Sequence, residues 1–228
     1  VWDCAAGTGN LLYGLSEKHR IFASTLDEAD VHVMKERTTN GANLLPEHIF
    51  QFDFLNDELD CGKLPKALQD IIQDEEKRKK LIIYINPPYA EAGDRKQLSK
   101  TGKNKEGTST GNRTHSKYKA QLQRAGNELF AQFLIRIYHE LSLCKIAEFS
   151  TLKTLQSSNF QEFRQHYRAK LEKIFLAPAD TFDNVKGKFP IGFKIWDTAK
   201  QESFTGIVAD IYDSKGQSYH DEHYQGKK

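Results

Sequence analysis

No run of about 18 apolar residues occurs in the 228-residue chain, which excludes a membrane-spanning helix. Cysteine is scarce. Cys4, Cys61 and Cys144 are odd in number and far apart, which fits neither a disulfide framework nor a zinc site and makes a reducing cytoplasm the expected location. Charge of one sign is also lacking: the net charge is +2, so no partner follows from the total. Hydrophobic residues make up 38%, enough to exclude disorder throughout and to build a real core. Methionine occurs once, as Met34, and the start carries no basic, apolar leader. The chain is therefore expected to be a trimmed piece with something missing upstream.

Strand and helix patterns alternate over the first ninety residues. Short apolar strands are expected at 1–4, 21–26, 48–54 and 81–85, with helices over 10–18, 28–38 and 64–80. The continuous apolar run at 81–85 is that of a parallel strand buried on both faces. Such βαβ units predict an α/β domain with a mainly parallel sheet. Apolar residues at helical spacing predict a helix over 127–143. Strands follow at 145–151, 174–177, 191–196 and 204–212, with a helix over 159–170 and a fraying polar tail.

Residues 93–125 break the pattern. They hold nine Lys/Arg against two acids and almost no large apolar residue, so they read as a basic insertion loop.

Four motifs lie at expected strand ends. Asp3-Cys4-Ala5-Ala6-Gly7-Thr8-Gly9-Asn10 joins a strand to a helix. Its small residues let the backbone approach a ligand, and Asp3 can hold the loop through backbone N–H groups. The third glycine of the dinucleotide fingerprint is absent, which counts against NAD. Asp27, 24 residues after Asp3, stands where an acid accepts ribose hydroxyls; it also suits a helix N-cap, and Glu28 is its rival. Gln51-Phe52-Asp53-Phe54 offers a carboxylate for an exocyclic amine and an aromatic for a purine face, although Phe52 and Phe54 taken alone are more often core. Asn86-Pro87-Pro88-Tyr89 follows the apolar strand. Its two prolines stiffen the loop, so the Asn side chain and the Pro87 carbonyl are presented as acceptors for a planar NH₂ group. The bland alternative is a proline turn capped by Asn.

Together these motifs resemble the class I S-adenosylmethionine-dependent methyltransferases, and among them the N6-adenine DNA methyltransferases whose cofactor motif precedes NPPY. The resemblance runs from Val1 to about Thr198. DCAAGTGN matches the D-P-x-x-G-x-G cofactor loop with Cys4 in place of proline, and NPPY matches without change. It implies a Rossmann-like α/β fold with a mostly parallel sheet of about seven strands and helices on both faces. Residues 1–200 would be the catalytic domain carrying the insertion 93–125. Residues 201–228 would be an extra strand and tail at the start of a missing C-terminal region.

The resemblance also implies S-adenosyl-L-methionine as cofactor, held by Asp3, Ala5, Gly7, Gly9, Asn10, Asp27, Asp53 and Phe54. Catalysis would fall to Asn86, Pro87, Pro88 and Tyr89. Phe189 in Phe189-Pro190-Ile191-Gly192-Phe193-Lys194-Ile195-Trp196 would stack on an extruded adenine, with Phe193 as second choice. Lys100, Lys103 and Lys105 would meet phosphates of double-stranded DNA. The implied activity is that of a site-specific adenine DNA methyltransferase, the modification part of a restriction–modification system. A recognition domain or subunit would lie elsewhere, and neither metal nor membrane is involved. NPPY is shared by methyltransferases of protein glutamine and of RNA bases. A non-catalytic, partner-dependent subunit is the competing class.

Overall fold

The structure is a computed structural model that describes residues 1–88, 110–181 and 189–225. In chain order it contains β1 (Trp2–Asp3), β2 (Phe22–Thr25), α1 (Glu28–Thr39), β3 (Ile49–Gln51), α2 (Lys66–Gln73), α3 (Glu75–Arg78) and β4 (Ile82–Ile85). These are followed by α4 (Arg113–Lys117), α5 (Lys119–Leu122), α6 (Leu129–Glu140), β5 (Lys145–Thr151), α7 (Lys153–Gln156) and α8 (Gln161–His166). The chain closes with β6 (Ala169–Pro178), β7 (Pro190–Gln201), β8 (Gly206–Tyr212) and β9 (Ser218–Gln225).

One sheet runs through the molecule in the order β3-β2-β1-β4-β5-β7-β6-β8-β9. The five strands from β3 to β5 are parallel neighbours, and β7 lies antiparallel between β5 and β6. β8 then pairs parallel to β6, and β9 antiparallel to β8. The sheet has nine strands where about seven were expected. The polar tail expected to fray supplies one of the extra two. A turn around Gly216 (φ 75°), braced by the Asp213 side chain accepting from the Lys215 and Gln217 amides, folds it back as β9.

Successive residues of a strand face opposite sides of the sheet, and two cores follow. The larger core takes Phe22, Ile83, Ile85 and Ile146 and is roofed by α2, α6 and α8 through Leu68, Phe130, Leu134 and Phe163. The smaller takes Ala23 and Ile49, with Tyr84 packed against it, under Val31 and Met34 of α1. α6 is buried at every residue from Leu129 to Ile137, as befits a core helix.

Other elements differ from the sequence pattern for local reasons. The helix expected over 10–18 is a pair of 3-10 turns, Asn10–Leu12 and Lys18–Arg20. The parallel crossover from Asp3 to Phe22 is made by these turns rather than by a helix. The helix expected over 64–80 breaks at Asp74, whose carboxylate accepts from the Glu76 and Lys77 amides and starts α3. The helix expected over 159–170 ends at His166, because the alternation of Ala169 and Leu171, both buried, already belongs to β6.

Of the expected loop 93–125, the described part begins at residue 110 and carries α4 and α5. Thr114, Tyr118 and Leu122, four residues apart, are buried and anchor α4 and α5. Two of its basic residues are committed to acids, Arg113 to Glu58 at 2.6 Å and Lys117 to Glu140 at 2.7 Å. Among the described residues no helix is long and apolar enough to cross a membrane, and no group of three or more His, Cys, Asp or Glu is placed to hold a metal.

Candidate active site

β1, β2, β3 and β4 are parallel, so their carboxyl ends share one edge of the sheet. The connection from β1 leads outward to β2, while β4 leads the other way to β5. The strand order therefore reverses between β1 and β4, and an open α/β sheet has its ligand crevice at such a point. Trp2 of β1 is in register with Ile83 of β4, which sets the loop after Asp3 beside the Asn86-Pro87-Pro88 segment.

The glycine loop is pinned on several sides. Ala6 N–H donates to the Ser24 carbonyl of β2 at 3.0 Å, and Gly9 N–H to the Ala6 carbonyl at 2.8 Å. The Arg37 guanidinium of α1 donates to the Thr8 carbonyl at 2.7 Å and to the Asn10 side-chain oxygen at 2.6 Å. Gly7 and Gly9 have φ of 51° and 84°, a left-handed backbone that glycine adopts at least cost. A Cβ at Gly9 would stand 3.1 Å from Met34 Cγ, whereas one at Gly7 would meet nothing within 4 Å. Gly9 is thus a packing glycine, and Gly7 opens onto free space.

Asp3 lies beneath the loop, 1% exposed, and accepts from the Ala5 amide at 3.0 Å. Burial pushes its carboxyl up to about 7, against that hydrogen bond. Burial and then the Asp3 charge raise the Tyr84 hydroxyl. Cys4, where the resembled motif has proline, is buried, and burial drives its thiol well up, which makes it core rather than nucleophile.

Asp27 is exposed and caps α1, its Oδ1 accepting from the Ala29 amide at 2.9 Å. Its rival Glu28 pairs with His32 at 3.9 Å. Glu28 also lines, with Lys35, Phe50 and Gln51, an open cavity of about 370 Å³. Asp53 closes a turn: Oδ1 accepts from the Leu55 and Asn56 amides at 3.0 and 3.1 Å, and Oδ2 from Asn56 Nδ2 at 2.7 Å. Each carboxylate oxygen retains further acceptor capacity.

Phe54 faces the core, stacked on Phe133 at 5.2 Å and only 3% exposed, so the purine cover expected of it is not offered at this edge. Phe193 is held in a ring cluster with Phe149 at 4.7 Å and Phe175 at 5.0 Å. Phe189, just before β7, is 42% exposed. Asn86 and Pro88 are half-buried and Pro87 is buried. Tyr89, Lys100, Lys103 and Lys105 lie outside the described residues.

The structure thus brings Asp3, Ala5, Gly7, Gly9, Asn10, Asn86, Pro87 and Pro88 to neighbouring strand ends, with Asp27 and Asp53 after the next two strands. It adds residues that the motifs do not contain. Arg37 fixes Asn10 across 27 residues of chain, and no local pattern announces it. Asn56 bonds Asp53, and the D-x-x-N spacing is a turn signature hidden inside a stretch that alternates like a strand. The loop, with Gly7 open and its backbone pinned, leaves room for a ligand to approach the main chain closely.

No family profile matches the chain, and neither does any curated protein. Solved structures do match. DrdV in a complex with DNA aligns over 98% of this chain and 27% of its own, at 13% identity and a TM-score of 0.60. The methyltransferase subunit of a type I restriction–modification system from Streptococcus thermophilus aligns over 95% and 43%, at 15% identity and TM-score 0.57. The M protein of the type I restriction enzyme EcoKI aligns over 93% and 44%, at 11% identity and TM-score 0.52. The chain has the fold of restriction–modification methyltransferase subunits. It spans less than half the length of each of these proteins.

Proposed function

We propose that the chain is the catalytic core of a DNA methyltransferase that transfers a methyl group from S-adenosylmethionine to the N6 amine of a flipped-out adenine, as the modification part of a restriction–modification system. The observation that carries this reading is the position of Asn86-Pro87-Pro88 at the end of β4, beside the glycine loop at the end of β1. Asp3, Ala5, Gly7, Gly9, Asn10, Asp27 and Asp53 would hold the cofactor, with Asp53 accepting its adenine amine and Asp27 its ribose. The cofactor supplies an electrophilic methyl group.

The chain's own task is positioning. The target amine is a poor nucleophile because its lone pair is delocalised into the ring. The Asn86 side-chain oxygen and the Pro87 carbonyl accept its two N–H groups, which favours a tetrahedral nitrogen and stabilises the positive charge developing there. A base inside a duplex is out of reach, and flipping it out costs a few kcal/mol. Stacking on Tyr89 and on the exposed Phe189 would return about 1–3 kcal/mol per face. Lys100, Lys103 and Lys105 would hold phosphates, which supports affinity for double-stranded DNA without selecting its sequence.

Incubation of the chain with radiolabelled S-adenosylmethionine and adenine-containing duplex, RNA or a glutamine peptide tests this. Label in N6-methyladenine of the duplex is expected, with a loss of roughly a hundredfold or more in Asn86→Ala at unchanged cofactor affinity. Label in the RNA or the peptide instead would overturn the DNA assignment. Loss of cofactor binding in Asn86→Ala would make that residue structural. A partner-dependent subunit is the second reading. It is favoured by Tyr13 and Leu26, 85% and 55% exposed just after the glycine loop and after β2.

A further inference from the structure

The segment leaving Pro88 re-enters the described structure at residue 110 and docks on the turn that carries Asp53. Thr114 N–H and its hydroxyl both donate to the Leu55 carbonyl, at 3.0 and 2.8 Å. The Arg113 amide donates to the Asn56 side-chain oxygen at 3.0 Å. The other end of the same Asn56 side chain donates to Asp53 Oδ2 at 2.7 Å. Arg136 of α6 closes the turn from beneath, bonding the Phe54 carbonyl and, at 2.6 Å, the Asp57 carbonyl. Asn112 caps α4 through its Oδ1 and is tied through Nδ2 to buried Gln132 at 2.7 Å, so the docked arm is itself rigid.

A carboxylate at the end of a short strand has several rotamers, and a planar amide held at both ends selects one. We infer that Asn56 is a positioning residue that makes the orientation of the Asp53 carboxylate depend on the docking of residues 110–114. Residues 110–114 thereby act on the turn at the end of β3. This rests on the proposed role of Asp53 in holding the cofactor.

Proline at position 113 isolates the link. Arg113 is the first residue of α4, where proline is tolerated, and the preceding Asn112 is already extended (φ −84°, ψ 165°). Arg113→Pro removes the amide that holds Asn56, and Arg113→Ala keeps it while removing the same ion pair to Glu58. Amide hydrogen exchange of the whole chain is expected to quicken at Leu55 and Asn56 in Arg113→Pro relative to Arg113→Ala, with equal thermal midpoints. Calorimetric titration with S-adenosylmethionine is expected to show affinity weakened roughly three- to tenfold in the same comparison, with no further loss when Asn56→Ala is already present. Unchanged exchange at those two amides, faster exchange throughout the chain, or additive losses of affinity would each overturn the inference. Local exchange as expected, with no binding of S-adenosylmethionine by the unaltered chain, would leave the positioning intact and remove the cofactor assignment instead.

Discussion

Lys194 and Glu148 face each other across β7 and β5 as an ion pair at 3.0 Å, both side chains fully buried. The ammonium also donates to Ser150 Oγ at 2.6 Å, and Glu148 Oε1 accepts from Trp196 Nε1 at 3.1 Å. Glu148 is in register with Ile85, the residue before Asn86, so the pair lies on the strand next to the end of β4. Removing one partner of such a pair strands a buried charge. Lys194→Met should therefore cost about 3–5 kcal/mol in urea unfolding at pH 8. A cost below about 1 kcal/mol would show that the pair contributes little.

Asp27 separates two roles within one side chain. Asp27→Ala should lose about 1 kcal/mol of stability through the missing cap, and Asp27→Ser should keep most of it, because serine also caps. If the carboxylate also accepts the ribose hydroxyls, both variants should bind S-adenosylmethionine roughly tenfold or more weakly. Full affinity in Asp27→Ser, read by calorimetry, would leave Asp27 a cap alone.

The two loop glycines should respond differently. Gly9→Ala combines a left-handed backbone with a Cβ 3.1 Å from Met34 Cγ, and should destabilise the chain by about 2–4 kcal/mol. Gly7→Ala carries only the backbone cost of about 1–2 kcal/mol, since its Cβ meets open space. The added methyl would stand where the proposed cofactor passes, so its affinity should fall out of proportion to the small loss of stability. Thermal melts with and without S-adenosylmethionine distinguish the two.

Asp3 predicts a pH dependence of stability. Burial raises its folded-state pKa from 3.8 to about 7, so between those values the folded state holds a proton that the unfolded state has released. The stability linked to that proton is full below about 3.8 and is lost as pH rises through about 7, up to about 4 kcal/mol in all. Asp3→Asn should remove this component and flatten the profile of urea midpoints between pH 5 and 8. An unchanged slope would place the titration elsewhere.

The α/β class and the mainly parallel sheet were legible in residue order. Both depend on local patterns: alternation and runs of apolar residues. The docked half of the insertion was misread because Thr114, Tyr118 and Leu122 form a buried stripe only one residue wide among polar neighbours. The strand β9 was misread because its polar sequence pairs at a sheet edge through backbone hydrogen bonds, which composition does not reveal.

Residue order by itself determined that a glycine loop follows the first strand, that Asn-Pro-Pro follows the fourth, and that acids follow the second and third. Tertiary structure alone decided what those side chains meet. It turned Phe54 into the core, joined Arg37 to Asn10, and set Asn56 against the amide of Arg113. Periodicity reports how a residue relates to neighbours a few positions away, whereas these bonds join groups up to 57 residues apart, and only the packed sheet brings them within 3 Å.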